Sequence, residues 1–346
     1  MLHLDAVPCV TIFFVCFALA FALDHEAAPV YIVDQMDRIM YASLVMELSH
    51  SGGGIPKLPQ GWMSQYSAYA VAALSSVQRR LGVSGGVGEI GVHHGLFFLA
   101  LAHTALRDER LFACDVFEQQ HLNVDGSGLG DRELFEDSLR RFGVQPAQVL
   151  IHKGDSRLLT LTALLGREAR DGLEGAAPFR LLSLDGGHGV QTVVSDLRLA
   201  EASLVDGGIV ILDDFANDNW MGVREGFFQF AFFDDAGAPR KSPPRLAPFL
   251  LLANKLYLTT PAHHPALLQA IREDGALREI GLHLLPAEES GMRGGNTNLT
   301  GWPVAVVDDR WRTVKAHSLV ILWDRLLSEG LSFEQAPYKG GWASAV

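Results

Sequence analysis

Between Gly85 and Leu212, short apolar runs alternate with helix-patterned stretches. No other feature constrains the fold of this chain as tightly. Runs at Val87–Gly91, Leu111–Val116, Val149–His152, Phe179–Leu184 and Ile209–Leu212 read as strands. Stretches near Gly95–Arg107, Asp131–Phe142, Ser156–Glu168 and Val190–Leu204 read as the helices between them. Strands joined through helices run parallel, with the helices covering both faces of the sheet. Trp220–Phe233 continues as a helix. Pro248–Ala253 and Leu256–Thr260, joined by Asn254-Lys255, read as a closing antiparallel hairpin. The fold class is therefore α/β, with a doubly wound, mostly parallel sheet.

Segments on either side of this alternation have other patterns. Val7 to Leu23 carries no charge, which suits a signal peptide, a short membrane anchor or a buried helix. Ala18-Leu19-Ala20 offers a cleavage pattern, but a positive n-region is missing, the first Lys or Arg being Arg38. Membrane contact through residues 7–23 follows only from the first two readings. They place the protein in the secretory pathway or on a membrane, the third in the cytoplasm. Val30–Leu48 and Trp62–Leu81 read as helices, the second stopped by Gly82 after Arg79 and Arg80. Beyond Thr260, Leu267–Leu277 and Ser318–Glu329 look helical, without a motif. The expected organisation is an apolar segment at 1–23, a helical region at 24–84, the α/β domain at 85–262 and an extension at 263–346.

Hydrophobic residues are 48% of the 346 and charged residues 20%, enough for a sizeable core. The net charge of −12 argues against a nucleic-acid partner, which needs a basic face. Of three cysteines only Cys114 lies in the body of the chain, so no disulfide framework is available there.

The first strand runs into Gly88-Glu89-Ile90-Gly91-Val92-His93-His94-Gly95 and then an apolar helix. Strand, glycine turn and helix together present backbone N–H groups to a ligand. Gly91 and Gly95 permit close approach, and Glu89 sits at the strand's C-terminal end, where open α/β sheets bind ligands. The glycines do not fit the G-x-G-x-x-G of a dinucleotide loop, which disfavours a nicotinamide-dependent oxidoreductase. A glycine-rich loop without a ligand is the plainer alternative.

Acidic residues recur at the other strand ends. Asp115 closes the second strand, where a carboxylate can accept ribose hydroxyls or simply be solvated. Asp155 and Ser156 follow the third strand, near an adenine edge, though Asp155 as a helix cap would explain itself. Asp185, in Leu184-Asp185-Gly186-Gly187-His188, follows the fourth strand, and the fifth ends in Asp213 and Asp214. If these three converge, their repulsion calls for a cation or a shared proton, and all-oxygen ligands favour a hard ion such as Mg²⁺. Loop acids or helix caps are the alternative. The polar loop Glu118–Gly128 is either a binding loop or a solvated one.

Taken in order, Glu89-x-Gly91-x-x-x-Gly95, Asp115, Gly154-Asp155-Ser156, Leu184–His188 and Asp206–Asp214 resemble the motifs of class I S-adenosylmethionine-dependent methyltransferases. The last two look like those of metal-dependent small-molecule O-methyltransferases, such as the macrocin- and novobiocin-pathway sugar O-methyltransferases. The resemblance covers about residues 60–262 and implies a Rossmann-like sheet of the class I methyltransferase fold. It implies S-adenosylmethionine bound by Glu89, Gly91, Gly95, Asp115, Asp155 and Ser156, and Mg²⁺ on Asp185, Asp213 and Asp214. It also implies a small-molecule hydroxyl acceptor. Where that family keeps an Asp as base, this chain has Gly187, and neighbouring His188 is the natural substitute, since imidazole titrates near neutral pH. The departure also leaves open a methyltransferase-like protein that binds a nucleoside without catalysis.

Overall fold

The computed structural model describes residues 59–63, 65–106, 109–161, 164, 179–252, 254–273 and 298–307. The expectations for 1–23, for Val30–Leu48 and for Ser318–Glu329 fall outside these residues. Among them, no helix is long and apolar enough to cross a membrane.

Helix α1 (Gln65–Arg80) comes first, ending in its two arginines as expected. The strands are β1 (Gly86–Ile90), β2 (Leu111–Asp115), β3 (Val149–Lys153), β4 (Phe179–Leu184) and β5 (Leu204–Leu212). Helices α2 (Leu96–Ala102), α3 (Arg132–Arg141) and α4 (Val190–Ser203) lie between them, and α5 (Met221–Phe232) follows β5. Then come β6 (Ala247–Leu252), β7 (Lys255–Thr259), α6 (His264–Glu273), a short pair β8 (Asn298–Leu299) and β9 (Trp302–Pro303), and β10 (Ala305–Val307).

One sheet has the order β10-β6-β7-β5-β4-β1-β2-β3. All pairings in it are parallel except those of β7, which runs against β5 and β6. The chain winds outward from β1 to β3 and then crosses back to β4. That puts the topological switch point between β1 and β4, where crevices open at the strands' C-terminal ends.

Side chains alternate between the faces of the sheet. Val87, Ala113, Leu181, Ile209, Ile211 and Tyr257 pack with α1, α2, α3 and α6 on one side. Ile90, Phe112, Leu182, Leu184, Val210 and Leu212 pack with α4 and α5 on the other. Burial on both faces explains why the strands read as continuous apolar runs.

Three expectations shift. The helix expected at Ser156–Glu168 begins as a single 3₁₀ turn, Ser156–Leu158, because the Asp155 side chain accepts from the Arg157 N–H and closes the turn early. Helix α2 stops at Ala102, where Thr104 Oγ1 donates to the Leu101 carbonyl. The sheet also gains β10, parallel to β6, which no sequence pattern announced. His264 Nε2 lies 3.0 Å from the Pro248 carbonyl and 2.9 Å from that of Pro303, tying the late segment to β6.

At the N-terminal edge of the strands sits a closed polar cluster. Arg180, 0% exposed, donates from Nε and Nη2 to the two Glu109 oxygens at 2.6 and 2.7 Å. Its remaining donors reach Ser75 Oγ, Gln78 Oε1 and the Thr104 carbonyl. Gln78 returns two bonds, to the carbonyls of Arg180 and Gly207.

Candidate active site

The glycine loop leaves β1 at the switch point. Gly91 has φ +88°, and a Cβ there would lie 1.7 Å from the Asp185 carbonyl oxygen. Its lack of a side chain therefore brings the ends of β1 and β4 together. Gly95 starts α2, packed on the Phe135 ring. Glu89, 1% exposed, faces the α1 and α2 side, and neither of its carboxyl oxygens has a hydrogen-bond partner. Burial pushes its carboxyl up to about 8, against the pull of the Lys255 cation.

Asp115 lies where β2 ends. Its Oδ2 accepts from the His93 N–H at 2.8 Å, and its Oδ1 from the Phe117 N–H at 2.7 Å. The acid thus fastens the glycine loop to β2, with burial pushing its carboxyl up. Asp155 caps its turn and pairs with the Arg157 guanidinium, which holds its carboxyl down. Buried Ser156 lies near Gly186 and the inward-facing Asp196 of α4, whose carboxyl burial raises to about 7.

The remaining acids meet where β4 and β5 end. One ligand atom each of Asp185, His188 and Asp214 lie within 4.8 Å of one another. Asp213 lines the same pocket as Asp185 and His188, but its carboxylate already has partners. Its Oδ2 pairs with the Lys255 ammonium, and its Oδ1 accepts from the Asp214 N–H at 2.7 Å. Lys255 thus balances Asp213, and the ligand atoms that come together join an imidazole to the expected Asp185 and Asp214. Lys255, 3% exposed, also lies 4.4 Å from the centre of the Phe97 ring. Burial would lower the Lys255 ammonium, but Asp213 and Asp185 outweigh it and raise it. Burial, followed by the charge of Asp213, raises the Asp185 carboxyl.

His188 sits between two carboxylates. Nδ1 lies 2.9 Å from Asp125 Oδ2, and Nε2 lies 2.9 Å from Asp214 Oδ2. Burial would lower the imidazole, but the contacts with Asp214 and Asp125 outweigh it and raise it. Trp220 stacks on the ring, with centroids 4.2 Å apart and planes at 13°. Asp214, at φ +56°, has its Oδ1 filled by the amides of Asn217 and Asn254. Its Oδ2 faces His188.

Sequence reasoning missed Asp125, Lys255, Trp220 and Asn254. Asp125 had a signal, since it lies in the polar loop Glu118–Gly128. Lys255 had a fainter one. It opens a strand antiparallel to β5, with Leu256 opposite Leu212, so it had to fall beside the acids that follow Leu212.

Residues 89–215 match the family model described as a methyltransferase domain. The match spans the glycine loop, Asp115 and the acids after β4 and β5, in the sheet order just described. Residues 89–215 form a methyltransferase domain. No curated protein matches the chain. Solved structures similar to this chain include the O-methyltransferase NovP, at 15% identity and TM-score 0.44, over 67% of this chain and 99% of that one. Another is CalS11, a TDP-rhamnose 3′-O-methyltransferase of calicheamicin biosynthesis, at 17% and 0.37, over 69% and 97%. A third is TomG from Streptomyces achromogenes, an O-methyltransferase of tomaymycin synthesis in complex with SAM, at 18% and 0.38, over 73% and 96%.

Proposed function

We propose that this methyltransferase moves a methyl group from S-adenosylmethionine to a hydroxyl of a small molecule, assisted by a divalent cation. One observation carries the reading. The glycine loop tied to Asp115 and the cluster Asp185, His188 and Asp214 flank the same switch point, joined where Gly91 touches Asp185.

The cofactor side would be Glu89, Gly91, Gly95, Asp115, Asp155 and Ser156. Each Asp115 oxygen already takes one backbone N–H and has a lone pair left for a ribose hydroxyl. Asp155 is committed to Arg157, so its part is to shape the turn that carries Ser156.

On the acceptor side, the donor set of Asp185, His188 and Asp214 fits a divalent cation: two carboxylates supply the charge and an imidazole a third ligand. Such an ion, when bound, is a Lewis acid that lowers a hydroxyl pKa. His188 could take the acceptor's proton or hold the cation. Both of its nitrogens are already directed at carboxylates, which supports holding. The oxygen–carbon bond forms as the carbon–sulfur bond breaks, and the hydroxyl proton leaves to a carboxylate of the cluster. Aligning oxygen, methyl and sulfur is the rest of the enzyme's work.

Calorimetry with S-adenosylhomocysteine and NAD⁺ tests the reading. We expect S-adenosylhomocysteine to bind and NAD⁺ not to. Asp115→Ala should weaken that binding by about tenfold to a hundredfold, the scale of a lost charged hydrogen bond. Binding of NAD⁺ alone, or a folded Asp115→Ala with parental affinity, would overturn it.

A further inference from the structure

We propose that Asp185, His188 and Asp214 form a mixed imidazole–carboxylate site that prefers a first-row transition-metal ion, with Mn²⁺ as the probe, over Mg²⁺, and that Asp125 positions the imidazole. The expected all-oxygen set is the one suited to Mg²⁺. In this structure Asp213 is paired with the buried Lys255, and the ligand atoms that come together are those of Asp185, His188 and Asp214.

Four observations shape the new set. First, His188 Nε2 and Asp214 Oδ2 are 2.9 Å apart, close to the roughly 3 Å between adjacent ligands of an octahedral ion at about 2.1 Å. Second, Asp214 Oδ1 is filled by two amides, so only Oδ2 is left to ligate. Third, His188 Nδ1 faces Asp125, the carboxylate–histidine arrangement that fixes the proton on Nδ1 and frees Nε2 for an ion. Asp125 is itself held. Its Oδ2 accepts from the His188 N–H at 2.6 Å, its Oδ1 from the Ser127 hydroxyl at 2.8 Å. Fourth, Trp220 stacks on the ring and blocks its rotation.

The substitution at position 187 belongs to the same design. A Cβ on Gly187 would lie 3.8 Å from Asp125 Oδ2. A carboxylate grown from that position would crowd Asp125 with a like charge. Glycine leaves the space to Asp125, which arrives from the loop after β2. A nitrogen donor then favours a transition-metal ion, since imidazole ligates such ions more readily than it does Mg²⁺. Two carboxylates and one neutral imidazole match a dication.

Binding follows from the donor set alone, and only the use of the ion rests on the proposed methyl transfer. The full chain, stripped with a chelator, is titrated with MnCl₂ and with MgCl₂, and separately with S-adenosylhomocysteine. Mn²⁺ should bind at least about tenfold more tightly, with nitrogen modulation in the pulsed electron paramagnetic resonance of bound Mn²⁺. His188→Ala should abolish the modulation and the preference. Asp125→Asn should weaken Mn²⁺ by about 10–100-fold with S-adenosylhomocysteine affinity unchanged, and Asp125→Glu should recover part of it. Equal affinities, no Mn²⁺ binding, or modulation surviving in His188→Ala would overturn the proposal. If His188→Ala does not fold, His188→Gln replaces it, and the parental Mn²⁺/Mg²⁺ ratio decides alone. Loss of S-adenosylhomocysteine binding with the Mn²⁺ preference intact would sink the proposed function and leave the metal site standing.

Discussion

Two charged clusters are buried at opposite edges of the same sheet, and they are built on opposite rules. At the N-terminal edge, Arg180 and Glu109 form a two-bonded pair, and the other guanidinium donors find oxygens. Glu109 also accepts from the N–H groups of Gly85 and Leu106. Nothing is left over, which is what a buried ion pair needs if it is not to destabilise the fold. At the C-terminal edge, Glu89, Asp125, Asp185, Asp213 and Asp214 face one ammonium, Lys255, and one imidazole, His188. Glu89 has no hydrogen-bond partner, and burial raises both its carboxyl and that of Asp185. A closed cluster holds the sheet together. An acid-rich one stores unfavourable charge at the strands' C-terminal ends.

The largest effect should come from breaking the closed cluster. Arg180→Ala strands Glu109 in the interior and should cost about 3–5 kcal/mol in urea unfolding. Arg180→Met with Glu109→Leu should recover part of that, because no charge is left unpaired. A loss below about 1 kcal/mol in the single variant would mean that the pair is not structural.

Glu89→Gln should act in the opposite direction. In the folded chain its carboxyl keeps its proton up to about 8, while the unfolded chain loses it near 4.5. Between those values the folded state holds the extra proton, so stability falls as pH rises. The raised carboxyl of Asp196 adds to the fall up to about pH 7. Glu89→Gln should therefore gain about 2 kcal/mol at pH 8, less than the full shift because the new amide also needs a partner. Between pH 7 and 8 the variant's thermal transition should decline less steeply than the parent's, the remaining slope coming from the raised His188 and Asp185 groups. A parental slope in the variant would show that Glu89 is ionised in the fold.

A pair outside both clusters gives the smallest effect. Arg140 Nη2 lies 3.1 Å from Glu136 Oε2 on the exposed face of α3. Arg140→Ala should change stability by no more than about 0.5 kcal/mol. A larger cost would mean that solvent-exposed charges matter here as much as buried ones, and the contrast between the two edges would lose its force.

The sequence by itself determined the sheet and which of its edges gathers the acids. Apolar runs of strand length between helical patterns leave a parallel sheet as the way to bury both faces, and Val87, Leu181 and Ile209 lie in it as their runs implied. The glycine loop and the acids at Asp115, Asp185, Asp213 and Asp214 were legible because strand ends are set by where apolar runs stop. Local chemistry also fixed Asp155 as a cap, one of the two roles its position allowed. Only the tertiary structure decided how the charges pair. Lys255 reaches Asp213 because β7 runs back against β5, and Asp125 reaches His188 across 63 residues of chain. Strand pairing and burial set those partners, whereas spacing along the chain carries information only about neighbours within a turn or a strand. The same physics hid β10: three residues gain a place in the sheet only after β6 has presented an edge for them to pair with.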